Sequence, residues 1–204
     1  MKEQIVERII REKIFSVIRL KDTSRIVEIV QAITDGGISI IEITLNSGNA
    51  LEAIEEVSHK FPQCLVGAGT VIGRRDAENA ITAGAKFLVS PHMDAKMIMI
   101  AHENDLVAMP GALTPTEIHQ GQSCAADFIK IFPLAGIGPS YIKALKGPFP
   151  HVRYVGTNGV TLDNLQEYFD AGCTAIGLGS VLVSDNLADI NEIKEKAKKA
   201  VGSV

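Results

Sequence analysis

The chain has no basic excess: 20 lysines and arginines face 24 aspartates and glutamates, for a formal net charge of −4. A general nucleic-acid binder is therefore not expected, because its affinity comes from cations that displace counterions from phosphates. Cysteine is also scarce. Cys64, Cys124 and Cys173 are odd in number and far apart, so they show neither a disulfide framework nor a zinc spacing. A reducing compartment, the cytoplasm, is the default expectation. No apolar run approaches the ~20 residues of a membrane helix. The first residues, MKEQIVERIIREK, alternate charges with isoleucines and read as an amphipathic helix rather than a signal peptide. What remains is ordinary globular composition, 46% hydrophobic and 22% charged, over a length that suits one domain spanning residues 1–204.

Short β-rich runs alternate with helical patterns along the whole chain. The predicted strands are Ile14–Leu20, Ser39–Leu45, Cys64–Val71, Phe87–Pro91, Leu106–Leu113, Phe128–Pro133, Val152–Gly159 and Ala175–Ser180. Helical stretches lie between them, and a final one, Leu187–Val201, closes the chain. Apolar residues recur three and four apart in these stretches, as in Ile26, Ile29, Val30 and Ile33. The joints at Gly36-Gly37, Gly84 and Gly172 place glycine where a helix should stop, since glycine adopts the left-handed conformation without side-chain cost. Strands that are apolar almost throughout suit a parallel sheet covered on both faces.

Two architectures fit such a repeat. An open doubly wound sheet should carry a glycine-rich turn after the first strand, and here Lys21-Asp22-Thr23 follows instead. The expectation is therefore a (β/α)8 TIM barrel with an N-terminal helix before the first strand. At about 25 residues per unit it is compact against the usual ~250-residue barrel, which leaves little room for a lid.

Barrel chemistry sits at the C-terminal ends of strands, and two charges stand out there. Lys130 occupies the middle of Phe128-Ile129-Lys130-Ile131-Phe132-Pro133, on the same face as Phe128 and Phe132. Glu42 is the lone charge in Ile40-Ile41-Glu42-Ile43-Thr44-Leu45. Each has a structural reading, as members of one buried ion pair or, for the lysine, a stem that reaches the rim. Each also has a chemical one. Desolvation frees a lysine amine to attack a carbonyl, and burial raises a carboxyl toward the range where it exchanges protons at neutral pH. Arg19, at the end of the first strand, suits a phosphate or carboxylate. Thr70 offers a hydroxyl after Gly67-Ala68-Gly69. The loops at Gly156-Thr157-Asn158-Gly159 and Gly177-Leu178-Gly179-Ser180 fit a phosphate held by backbone amides and a helix N-terminus. The five histidines are scattered without metal-binding spacing, and His92 alone is positioned where it could line the mouth.

These residues resemble the 2-keto-3-deoxy-6-phosphogluconate/4-hydroxy-2-oxoglutarate aldolases over nearly the full chain. The resemblance runs through EITLNS (Glu42–Ser47), GAGTV (Gly67–Val71), LVSP (Leu88–Pro91), PGALTPTE (Pro110–Glu117), KIFPLAGIGPSYIKAL (Lys130–Leu145) and GLGS (Gly177–Ser180). It implies a class I aldolase on a (β/α)8 barrel, a homotrimer without metal or cofactor, acting on a phosphorylated keto acid and releasing pyruvate. Carried over by position, Lys130 is the Schiff-base lysine and Glu42 the proton shuttle. Thr70 and Pro91 line the pyruvyl pocket. Arg19, Phe132, Gly156, Asn158, Gly159, Gly179 and Ser180 contact the rest of the substrate, with its phosphate. Asn46 stands where the phosphogluconate branch has arginine against the pyruvyl carboxylate. Asn46-Ser47 looks like the 2-keto-3-deoxy-6-phosphogalactonate branch, although Thr44 replaces its proline. His92 and Asn158 also depart from the family's usual residues. A phosphosugar epimerase or isomerase, and a barrel that binds a phosphometabolite without turnover, are the competing readings.

Overall fold

The computed structural model describes residues 1–185 and 189–204. Helix α1 (Lys2–Glu12) leads into β1 (Ile14–Ile18) and α2 (Ile26–Asp35), then β2 (Ile40–Thr44) and α3 (Ala50–Lys60). β3 (Leu65–Gly69), α4 (Arg74–Thr82), β4 (Phe87–Val89) and α5 (Ala95–Glu103) follow. Next come β5 (Val107–Met109), β6 (Gly111–Ala112), α6 (Pro115–Ser123), β7 (Ile129–Ile131) and α7 (Pro139–Lys146). β8 (Tyr154–Thr157), α8 (Leu165–Asp170), β9 (Cys173–Leu178) and α9 (Ile190–Val201) end the chain. The expected start of the last helix at Leu187 lies outside the described residues. Gly37, Gly84 and Gly172 take φ values of 97°, 102° and 109°, so the three joints end their helices as the sequence requires.

All strand pairs are parallel, in the order β5-β4-β3-β2-β1-β9-β8-β7-β6. The ninth strand arises from a break. The run expected as one strand, Leu106–Leu113, divides at Pro110, which has no N–H to give a ladder. Its first part pairs with β4 and its second with β7. The Phe128 N–H donates to the Ala108 carbonyl at 3.4 Å and the Lys130 N–H to the Pro110 carbonyl at 2.9 Å. These bonds bring the two ends of the sheet together, so the eight staves form the expected α/β barrel.

Two apolar cores explain why the strands are apolar on both faces. Ile41, Ile43, Ile129 and Ile131 point outward and pack with the helices. Phe15, Ile40, Leu65, Phe87, Phe128 and Val155 fill the barrel interior. Phe15 and Phe87 meet edge-on with centroids 6.4 Å apart. Their rings need small neighbours: a Cβ on Gly67 would lie 2.5 Å from Phe87, and one on Gly177 would lie 2.7 Å from Phe15. Ile5, Val6 and Ile9 of α1 join this interior core. Lys2 pairs with Asp127 at 3.1 Å, and Arg8 donates to Ser39 Oγ and the Gln63 carbonyl at 2.6 and 2.7 Å. Asp127, Ser39 and Gln63 all precede strands. The amphipathic N-terminal helix therefore lies across the N-terminal end of the barrel and leaves the C-terminal ends as the open face.

Candidate active site

Alternation decides where the two misplaced charges point. Ile41 and Ile43 face the helices, so Glu42 between them faces the interior; Ile129 and Ile131 do the same for Lys130. In register, Glu42 lies between Val17 of β1 and Gly67 of β3. Lys130 lies between Gly111 of β6 and Val155 of β8. Glu42 is fully buried and Lys130 is 7% exposed.

They do not form the direct ion pair that a structural role calls for. Among the described residues no salt bridge within 4.0 Å joins them, and neither carboxylate oxygen of Glu42 has a hydrogen-bond partner. Burial pushes the Glu42 carboxyl above its ordinary 4.5, and the charges of Lys130 and Arg19 pull it partly back. An unpaired buried carboxyl is costly to keep, and such groups concentrate at functional sites. The Lys130 ammonium lies 5.2 Å from the centroid of Phe132, two residues on along the same face.

Gly69 makes room for Glu42. A Cβ at this position would stand 1.9 Å from Glu42 Oε1 and 2.6 Å from its Cδ, so no larger residue leaves the carboxylate where it is. A strand glycine in sequence signals only close approach; what approaches is visible in the folded barrel alone. Gly69→Ala is expected to displace the carboxylate and lower kcat/KM about 100-fold, the scale of a 1 Å misplacement at a reacting group. Steady-state kinetics beside a circular dichroism spectrum check this; an unaltered rate in the folded variant would show that the carboxylate's position is not critical. Thr70 follows with φ 57°. A β-branched residue in the left-handed region is a true outlier, and strain of about 1–3 kcal/mol is characteristic of functional sites.

A cavity of about 530 Å³ opens on the C-terminal face. Arg19, Lys130, Phe132, Asn158, Gly159, Gly179 and Ser180 all line it, so seven of the residues singled out in sequence come together. Thr157, part of the loop segment read as a phosphate grip, lines it too and shares its inward face with Val155; Asp185 also lines it and was not singled out. Glu42, Asn46, Thr70, Pro91 and Gly156 are not on its wall. Glu42 lies within the barrel core, and Asn46 is exposed in the turn after β2. Pro91 is half-buried after β4, where its carbonyl would be 2.6 Å from a Cβ on Gly111. Gly156 faces the helices: a Cβ there would meet Cys173 Sγ at 3.2 Å. His92 is exposed and off the cavity wall; its carbonyl accepts the Ser90 hydroxyl at 2.5 Å and the Gly111 N–H at 3.2 Å.

Sequence reasoning also passed over Ser47. Its Oγ accepts the Leu20 N–H at 3.1 Å and lies 3.2 Å from Thr44 Oγ1, so it ties the end of β1, next to Arg19, to the end of β2. The loop amides are the other polar resource. The N–H groups of Gly159, Val160, Ser180 and Val181 donate to no described residue, while Thr161 N–H is taken by Asn164 Oδ1 at 2.7 Å. Asn158 and Gly159 have φ values of 61° and 107°, and a Cβ on Gly159 would fall 2.8 Å from the Ala135 backbone. Helix α8 starts only at Leu165 and adds no residue to the wall. Free amides at the cavity, rather than the expected helix end, are what an anion would meet.

Comparison with known proteins identifies the family and the fold. The family model "KDPG and KHG aldolase" matches residues 5–198. The 2-dehydro-3-deoxy-phosphogluconate aldolase of Pseudoalteromonas atlantica is 31% identical over 189 residues, 91% of this chain and 88% of its own. The 2-dehydro-3-deoxy-6-phosphogalactonate aldolase of Escherichia coli (strain K12) is 35% identical over 155 residues, 75% of this chain and 76% of its own. Among solved structures, a KDPG aldolase of Legionella pneumophila, with pyruvate captured as a covalent carbinolamine intermediate, superposes with a TM-score of 0.84 at 28% identity and covers 92% of this chain and 93% of that one. Matched through all but its extreme ends, the chain belongs to the KDPG and KHG aldolase family of carbon–carbon lyases.

Proposed function

We propose that this protein is a class I aldolase cleaving a 2-keto-3-deoxy-6-phospho sugar acid, or 4-hydroxy-2-oxoglutarate, to pyruvate and an aldehyde. The observation that carries the reading is the pair of interior ionisable groups, Lys130 on the cavity wall and Glu42 buried without a hydrogen-bond partner among the described residues. The neutral Lys130 amine attacks the C2 ketone to give a carbinolamine, the species captured with pyruvate in the Legionella relative. Glu42, protonated at this stage, gives its proton to the carbinolamine hydroxyl, so that water leaves and an iminium ion remains. Glu42, as carboxylate, takes the C4 hydroxyl proton; the C3–C4 pair flows into the iminium, the aldehyde departs and an enamine remains. Glu42 passes the C4 hydroxyl proton on to C3 of the enamine, and water hydrolyses the resulting iminium to pyruvate and the free amine, returning to Glu42 the proton used in dehydration and consuming the water released there.

In this reading Arg19 and the loop amides around Gly159 and Ser180 hold the distal phosphate. Thr70, Pro91 and Asn46 border the pyruvyl end, and Phe132 packs beside the reacting amine. The protein works as a cytoplasmic homotrimer without a metal. The phosphogalactonate acid is the second candidate substrate, favoured by Asn46-Ser47 and by the 35% identity to that relative.

The test is pyruvate release, followed by a coupled dehydrogenase, from the phosphogluconate acid, the phosphogalactonate acid and 4-hydroxy-2-oxoglutarate. Turnover of at least one is expected, and the ratio of kcat/KM values names the substrate. Tight binding with no pyruvate from any of them would instead make the protein a non-catalytic receptor.

A further inference from the structure

Arg19 stands at the cavity beside the free loop amides, and among the described residues its guanidinium makes no salt bridge within 4.0 Å. The end of a strand is ordinarily where order is lost, yet the backbone just after Arg19 is held on both sides. The ladder of β1 ends at Ile18 against β2 and at Ser16 against β9. Beyond these points side chains replace the sheet. Ser47 Oγ, after β2, accepts the Leu20 N–H at 3.1 Å, and Asp185 Oδ1, after β9, accepts the Lys21 N–H at 2.8 Å. Successive N–H groups of an extended segment point to opposite sides, so each bond comes from a different neighbour of β1.

The β2 side adds backbone contacts. The Gly48 N–H donates to the Leu20 carbonyl at 3.0 Å, and Thr23 Oγ1 donates to the Gly48 carbonyl at 2.7 Å. A Cβ on Gly48 would stand 2.2 Å from the Lys21 carbonyl oxygen, so the two loops touch backbone to backbone. Asp185 is the odd member. It is the one carboxylate among the described lining residues, and its charge opposes an anion bound there. The bond to Lys21 gives it a compensating role, because an ionised acceptor holds an amide more strongly than a neutral one.

We propose that Ser47 and Asp185 are positioning residues that clamp the end of β1 and so aim Arg19 at the distal phosphate. The inference rests on the phosphate-binding reading of Arg19 given above. With Leu20 and Lys21 already fixed in the free protein, an anion does not have to order them on binding, which strengthens its hold.

Inorganic phosphate is the probe, titrated calorimetrically into the full chain, because its binding needs no turnover. Wild type is expected to bind it, and Arg19→Ala to bind it about tenfold more weakly, the scale of a hydrogen bond to a charged group. Ser47→Ala and Asp185→Ala should each lose part of that factor. Ser47→Thr and Asp185→Asn keep an acceptor oxygen and should bind at least as well as wild type. The decisive comparison places each alanine in the Arg19→Ala background, where neither should weaken binding further. Equal losses with and without Arg19 would overturn the clamp, as would unchanged affinity in both single alanine variants or a wild type that does not bind phosphate. Circular dichroism checks each fold; should Ser47→Ala not fold, the exposed Asp185 carries the comparison alone. Borohydride labelling of Lys130 is run on the same preparations. Pyruvate has no phosphate, so its half-saturation should not move in the clamp variants, and a rise would place Arg19 at the pyruvyl carboxylate and overturn the assignment. Absence of label on wild type sinks the aldolase reading alone, since the phosphate titration still decides the clamp.

Discussion

Lys130→Met will abolish both turnover and the covalent capture of pyruvate by borohydride. The side chain is 7% exposed inside an apolar strand, with Ile129 and Ile131 locked in the helix-facing core and Phe132 beside its ammonium. Methionine has a similar unbranched stem and fills irregular interior space, so the barrel should survive while its nitrogen is gone. The expected loss in kcat is about 10⁵-fold or more, comparable to the removal of a nucleophile in other covalent enzymes. Lys130→Arg is the companion. It keeps a positive charge facing Glu42, yet guanidinium stays protonated and cannot attack a ketone, so it too should go unlabelled. Mass spectrometry after pyruvate and borohydride treatment reads both variants. A labelled Lys130→Met protein would move the Schiff base to another lysine and end the assignment.

Glu42→Gln is the second large effect, and it separates chemistry from stability. Loss of a positioned general base costs about 10²–10⁴-fold, so kcat should fall on that scale while pyruvate still labels Lys130 slowly. Wild type should show an acid limb in kcat above pH 4.5, where burial has moved the Glu42 carboxyl, and the variant should lose that limb. Stability should move the other way. In the unfolded chain this carboxyl titrates near 4.5, and in the barrel it titrates higher because burial disfavours the anion. Below 4.5 both states hold the proton, and the contribution of the protonated group is fully present. As pH rises through the raised native value, the unfolded chain has already released its proton and that contribution is lost. Glutamine has no such proton. The melting temperature of Glu42→Gln relative to wild type should therefore climb as pH is raised from 4.5 to 8. A variant that becomes relatively less stable over this range would mean that an anionic Glu42 is held by a direct partner.

The two residues behind these predictions were legible because burial and charge conflict within a few residues of chain. Lys130 among Ile129, Ile131 and Phe132 breaks an apolar run, as Glu42 does between Ile41 and Ile43. Period-2 alternation then assigns each to one face without any further knowledge. The repeat of strand, helix and glycine joint is local in the same sense: φ at Gly37, Gly84 and Gly172 follows from what the neighbouring residues allow.

Other features depend on partners far away in the chain. Gly69 reads in sequence as one of several small residues, and it matters because β3 lies beside β2 and brings it against Glu42 Oε1. Asp185 meets Lys21 across 164 residues, a proximity that arises only when β1 and β9 pair. Gly156 looked equivalent to Gly159 within one motif, yet it turns toward Cys173 and the helices, since adjacent strand residues face opposite sides.

Local periodicity and the cost of burying charge thus suffice for the barrel units and for the two groups that carry the chemistry. Closing the staves into a ring does the rest. It selects which face becomes the interior, leaves Glu42 without a hydrogen-bond partner among the described residues, and brings Arg19, Asp185 and the loop amides around one cavity, because those are consequences of strand register and not of any single stretch of residues.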